Sequence, residues 1–124
     1  MTSKVRGIRG AITVANNTKE DILEGTTVLL DEIIKNNDLI LEDICSIFFT
    51  VTPDLNQEFP AKSARKLGLS STPLICMTEI PVEGALNKCI RVLMHYNTDK
   101  QQSEINHLYL REASRLRPDL SQNN

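Results

Sequence analysis

Few side chains in this sequence combine charge with a strand-like setting, and those few are where chemistry has to be sought. Arg9, Glu79, Arg91 and Tyr109 fall inside or at the ends of four different segments that read as strands. Lys62 and Arg65 stand three apart, on one face of a short helical segment. A sheet can bring such residues to one place although they are far apart in the chain. An arginine keeps its charge at any working pH and grips a carboxylate through two parallel hydrogen bonds. Several arginines with one carboxylate and one phenol on otherwise apolar strands therefore point to a small dianionic ligand. Taken singly, each has a plainer reading, because charged side chains on strands usually line a solvated face or edge. Lys62 and Arg65 alone read as a solvated helix face, and Arg117 near the terminus is a further candidate contact.

Other kinds of chemistry have weaker support. Cys76 could be paired with His95 or His107 as a nucleophile, but no local signature goes with it. A single cysteine on an apolar strand is more often a small buried hydrophobe, and Cys45 and Cys89 read the same way. Three cysteines without a C-x-x-C pair fit a reducing cytoplasm better than a disulfide framework. The two histidines lack metal-ligand spacing. Gly7 and Gly10 do not open a helix as a phosphate loop would. With 14 basic against 16 acidic residues the formal charge is −2, which argues against the basic face that nucleic acid requires. Aromatic residues make up 4% and are not interleaved with basic ones, so there is no stacking platform for single strands. No apolar run approaches the roughly 20 residues of a membrane helix, and the polar start lacks a signal peptide's apolar stretch, so a cytoplasmic protein without a membrane partner is expected.

The elements that must position these residues can be read from periodicity. Val5 to Val14 reads as a strand, with Ile8, Ile12 and Val14 on one face and Val5, Gly7, Arg9, Ala11 and Thr13 on the other. Small neighbours on that second face give Arg9 room to reach a ligand. Thr18 with Asp21 resembles a capping box and opens a helix to about Asn36 or Asn37, with apolar residues at Ile22, Thr26, Leu29, Leu30, Ile33 and Ile34. Ile44 to Thr52 reads as a strand too apolar to have a solvated face, stopped by Pro53. Phe59 to Gly68 reads as a short helix, Pro73 to Ile80 as a third strand and Gly84 to Cys89 as a short helical turn. Ile90 to Thr98 and Ile105 to Leu110 complete five strands, and Pro118 prevents a long helix in the tail. The expected fold is α+β (mixed α/β), a single domain over residues 1–124 with a five-stranded mixed sheet, one long covering helix and a flexible tail from about residue 116.

Seven blocks then carry a specific resemblance. Val5-Arg6-Gly7-Ile8-Arg9-Gly10-Ala11, Thr52-Pro53-Asp54-Leu55, Phe59-Pro60-Ala61-Lys62 and Cys76-Met77-Thr78-Glu79 are similar to the AroH class of monofunctional chorismate mutases. So are Lys88-Cys89-Ile90-Arg91-Val92, His107-Leu108-Tyr109-Leu110 and Leu116-Arg117-Pro118-Asp119-Leu120-Ser121. They run in the family's order across nearly the whole chain, which is what makes the resemblance specific.

The resemblance implies a homotrimer forming a pseudo-α/β barrel, with active sites between subunits, and conversion of chorismate to prephenate without cofactor or metal. In that frame Arg91 donates to the substrate's ether oxygen and a carboxylate, Glu79 bonds the ring hydroxyl, and Arg9 and Tyr109 hold the side-chain carboxylate. Ile75, Cys76 and Met77 line the pocket, Phe59, Ala61, Lys62 and Arg65 arrive from the adjacent subunit, and Arg117 helps close the site. Two departures stand out. The stretch between Arg65 and Pro73 is one residue shorter than the family pattern, and Ile75 replaces a common threonine. Two alternatives stay open beside this one: a small trimeric imine or enamine hydrolase that also uses an interface arginine, and a non-enzymatic module that binds an aromatic amino acid or precursor.

Overall fold

The computed structural model describes residues 3–116. Five strands form one mixed sheet: β1 (Lys4–Thr13), β2 (Ile44–Val51), β3 (Leu74–Thr78), β4 (Cys89–Thr98) and β5 (Leu108–Leu110), in the order β3-β2-β4-β1-β5. The central pairs β1/β4 and β2/β4 are antiparallel, and the outer pairs β1/β5 and β2/β3 are parallel. Two helices accompany the sheet, α1 (Lys19–Asn36) and α2 (Ala61–Lys66).

Helix α1 starts where its cap chemistry puts it. The Thr18 side chain accepts a hydrogen bond from the Asp21 N–H, while the Asp21 carboxylate turns back to the N–H of Asn16 rather than to that of Thr18. Its buried stripe is Ile22, Gly25, Thr26, Leu29, Leu30 and Ile33, and it packs on the sheet face formed by Ile8, Ile12, Ile47, Phe49, Ile90, Val92 and Met94. Contact is close enough that side-chain bulk is excluded at two places. A Cβ on Gly10 would stand 2.8 Å from Ile33 Cδ1, and one on Gly25 would stand 2.6 Å from Val14 Cγ1. The glycine inside α1 forfeits about 1 kcal/mol of helix preference relative to alanine, and that close approach to β1 is what it permits.

The structure departs from the sequence reading in several places. Residues 84–88 form a turn and bends rather than a helical turn, because Gly84 and Lys88 both take left-handed backbone angles (φ +84° and +49°) that interrupt a helix. The fifth strand is only three residues long, since the residues before it are held by other partners: the Asn106 N–H donates to Asn37 Oδ1, and His107 Nδ1 accepts from the Arg9 N–H. Residues 102–104 form a single 3₁₀ turn closed by reciprocal bonds between Gln101 and Glu104. Two further 3₁₀ turns, Leu41–Asp43 and Arg111–Arg115, were not expected, and the latter folds back against β1. Lastly, β2 does have an open face: it lies inside the sheet, yet Phe48 is 39% exposed because α1 covers only one side. Arg117 and the rest of the tail lie outside the described residues. No helix among the described residues is long and apolar enough to cross a membrane.

Candidate active site

The face of the sheet opposite α1 carries the polar residues, and the strand registers line them up. Met77 pairs with Thr50, Thr50 with Arg91, Arg91 with Ala11, and Ala11 with Tyr109. This single row crosses all five strands. One step along the strands a parallel row holds Ile75, Phe48, Leu93 and Arg9. Because side chains alternate faces with a period of two, all these residues share the side away from α1. Two rows of one sheet thus join positions between 9 and 109 in the chain.

Between the rows lies an open groove of about 300 Å³ lined by Arg9, Phe48, Thr50, Met77, Glu79, Arg91, Val92 and Leu93. Glu79 follows the end of β3 and is tied to β2 by its own N–H, which donates to the Val51 carbonyl at 2.8 Å. Its carboxylate oxygen Oε1 accepts from the Thr50 hydroxyl at 2.8 Å and stands 3.8 Å from Arg91 Nε. At that separation the arginine and the carboxylate attract one another without a hydrogen bond. Arg91 Nε is buried and has no hydrogen-bond partner. A buried cationic N–H without a partner costs more than an ordinary lost bond, so it marks a place where an acceptor belongs.

Supports behind the groove hold both arginines' strands. The Arg9 N–H donates to His107 Nδ1 at 2.9 Å, which requires that ring nitrogen to be unprotonated. Before β4, Lys88 adopts its left-handed angle with its N–H held by both Asp54 carboxylate oxygens (3.2 and 3.0 Å). The Cys89 N–H donates to Thr52 Oγ1, and the Thr52 N–H to the Cys89 carbonyl, both at 3.0 Å. Thr52 and Asp54 thereby fix the start of the strand two residues ahead of Arg91. Asp54 lies off the strands, and in the sequence nothing but its place in the Thr-Pro-Asp block marked it.

The remaining candidates fall in two other places. Tyr109 occupies the end of the row but is 3% exposed, packed with Ala11, Cys89 and Ala113. Burial pushes the Cys89 thiol up to about 11, an effect that the nearby Arg91 charge only partly offsets. Cys76 alternates to the α1 side of β3, beside α2, so within one chain it faces away from Arg91. Burial also raises its pKa, against the opposing influence of the Ala61 backbone and Arg65. Neither thiol has the depressed pKa of a nucleophile. Phe59 and Cys76 border a second groove of about 340 Å³ at the β3 edge, and the Lys62 ammonium is paired with Glu58 at 3.1 Å. The Phe59 backbone N–H, aided by Lys62, holds the Glu58 carboxyl below its ordinary range. Lys62, Arg65, Phe59 and Ala61 therefore lie apart from the Arg9–Glu79–Arg91 groove of their own chain.

Of the groove residues that sequence reasoning missed, Phe48, Val92 and Leu93 are apolar and Thr50 is the polar one. Its signal was the alternation Ser46-Phe48-Thr50, which places two hydroxyls on the open face, and it was masked by the apolar character of β2 as a whole. Among the described residues, no three His, Cys, Asp or Glu side chains gather as metal ligands would.

The chain is 49% identical over 117 residues to the chorismate mutase AroH of Thermus thermophilus, covering 94% of this chain and 96% of the relative. It is 48% identical over 118 residues to the chorismate mutase AroH of Bacillus subtilis, covering 94% and 93%. A solved chorismate mutase from Clostridium thermocellum superposes with a TM-score of 0.86 at 53% identity, covering 87% of this chain and 96% of that one. The family model described as chorismate mutase type I matches residues 5–120, and the chain belongs to that family.

Proposed function

We propose that the chain rearranges chorismate to prephenate in the groove built on Arg9, Glu79 and Arg91, as an isomerase of aromatic amino acid biosynthesis. The observation that carries this is the buried, unpartnered Arg91 Nε held 3.8 Å from Glu79. The reaction is a unimolecular pericyclic rearrangement in which a C–O bond breaks as a C–C bond forms. It needs no nucleophile and no proton transfer, so the enzyme acts by holding a shape and by placing charge.

Folding the enolpyruvyl arm over the ring in a chair-like geometry removes part of the entropic barrier. Negative charge then develops at the ether oxygen and positive charge on the ring. Arg91 donates to that oxygen, and since the charge grows along the reaction, the bond is stronger in the transition state than in the ground state. Glu79 bonds the ring hydroxyl and faces the electron-poor ring. Arg9 and Tyr109 hold the side-chain carboxylate, Ile75 and Met77 contribute wall and backbone groups, and Cys76, which borders the second groove of its own chain, supplies its wall to a neighbour's site.

In this reading the active enzyme is a homotrimer. Phe48, Ile75 and Met77 are 39%, 50% and 42% exposed on the sheet face that α1 leaves open, an apolar patch of the kind that partner subunits cover. Phe59, Ala61, Lys62 and Arg65, which lie away from their own chain's groove, reach the groove of a neighbour, and Arg117 closes the site. Of the three readings open at the level of sequence, this is the one that family membership favours. The test is direct. Purified protein without added metal or cofactor is expected to consume chorismate and yield prephenate, and unchanged chorismate would refute the reading.

A further inference from the structure

The groove contains one polar group to which the reaction as described assigns nothing. We propose that Thr50 is a positioning residue, whose hydroxyl holds Glu79 beside Arg91 without letting the two close into a direct hydrogen bond. The proposal rests on the chorismate mutase reading and adds a part to that same site.

A carboxylate and a guanidinium left to themselves in a half-buried cleft settle at about 2.7–2.9 Å, through one or two charge-assisted hydrogen bonds. Here both side chains are only about one-quarter exposed, yet Glu79 Oε1 stays 3.8 Å from Arg91 Nε. The atom kept at that distance is the one that accepts the Thr50 hydroxyl at 2.8 Å. The donor is rigid for two reasons. Thr50 is β-branched and so stiff at its first side-chain torsion. It also sits on an interior strand, paired directly with Arg91 on one side and Met77 on the other. Glu79 is therefore pinned twice, by its N–H on the Val51 carbonyl and by its Oε1 on Thr50. Two consequences follow. Arg91 Nε is not consumed by the protein's own carboxylate and remains available to an anion, and the direction of the Glu79 carboxylate is set before the substrate arrives.

The experiment is a steady-state comparison with chorismate as substrate, using wild type, Thr50→Val, Thr50→Ser, Glu79→Ala and the double variant Thr50→Val with Glu79→Ala. Thr50→Val keeps the shape, removes the donor and favours a strand, so its melting temperature is expected to match or exceed wild type. Thr50→Ala is carried in parallel in case valine disturbs the fold. Thr50→Val is expected to lower kcat/KM by about 10- to 100-fold, mainly through kcat, the scale of losing one charge-assisted bond that orients a reacting group. Thr50→Ser is expected to recover activity to within about threefold of wild type, because serine restores the donor. In the Glu79→Ala background the valine substitution is expected to change nothing beyond about twofold, since its effect passes through Glu79. An active wild type with a Thr50→Val variant equally active, a serine variant as poor as valine, or full additivity with Glu79→Ala would each overturn the proposal alone. A wild type inert toward chorismate would overturn the parent reading, and this proposal with it.

Discussion

The two faces of one sheet solve opposite problems with alternate residues of the same strands. On β4, Ile90, Val92 and Met94 point under α1 and are buried, while Arg91, Leu93 and His95 point the other way and stay partly open. The α1 face is closed by volume: Ile33 and Leu29 approach so near to β1 that Gly10 has no room for a Cβ. Complementary packing of that kind tolerates little change in size. The opposite face is held by few contacts, each directional. Thr50 sets Glu79, His107 Nδ1 accepts from the Arg9 backbone, and Thr52 with Asp54 clamps the start of β4. One face thus carries the packed core and the other the candidate site, and a shift of one residue in register would exchange them.

This division can be broken at either face. The largest effect is expected from Arg91→Ala, which should cost at least about 10³ in kcat/KM, roughly 4 kcal/mol of transition-state stabilisation, while circular dichroism and melting temperature stay near wild type. Arg91→Lys should rescue little, because an ammonium cannot reproduce the planar fork. Kinetics near wild type in either variant would show that Arg91 is not the group that meets the developing charge. The mirror experiment is Ile33→Ala on the closed face. Truncating this fully buried side chain is expected to destabilise by about 2–5 kcal/mol in denaturant titration, yet to leave kcat per folded molecule within about twofold. A large loss of kcat without loss of stability would mean that the faces are not separable.

The smallest effect sharpens the boundary at Cys89, where the open face becomes core under Tyr109. Its thiol is pushed up from 9.0 to about 11 by burial, so the neutral form is favoured by the folded state. The folded pKa lies above the unfolded one. The corresponding stability is therefore complete below pH 9 and is lost as pH climbs through the interval up to about 11, by on the order of 3 kcal/mol. Stability measured across that interval should fall more steeply for wild type than for Cys89→Ala. Parallel curves would mean that this thiol is no more protected when folded than when unfolded.

Most of the fold was legible in the sequence, because local signals agree with the final packing. The stripe on α1, its Thr18 cap, the alternation in β1 and the apolar run of β4 each report a neighbour they will bury against. The misreadings share a cause. Residues 84–88 were mistaken for a helical turn because left-handed angles at non-glycine residues leave little trace in composition, and Lys88 takes one only because Asp54, far away in the chain, holds its N–H. Phe48 was read as interior because an apolar strand does not say how many of its faces its own chain covers. At the site, Arg9, Glu79 and Arg91 were legible as charges on apolar strands. Thr50 was not, since a lone threonine in a strand is ordinary until its register partner is known.

By itself, then, the sequence determined the family, the element types and the charged residues on strands, because each of these is written in spacing of a few residues or in blocks of adjacent ones. Only the tertiary structure decided which of them meet. It joined Arg9, Glu79 and Arg91 in one groove, turned Cys76 to the far side of β3, where it borders a second groove with Phe59, and put Lys62 and Arg65 on α2, apart from the first. The physical reason is that strand order and register are settled by long-range pairing, where moving one residue reverses the direction of every side chain.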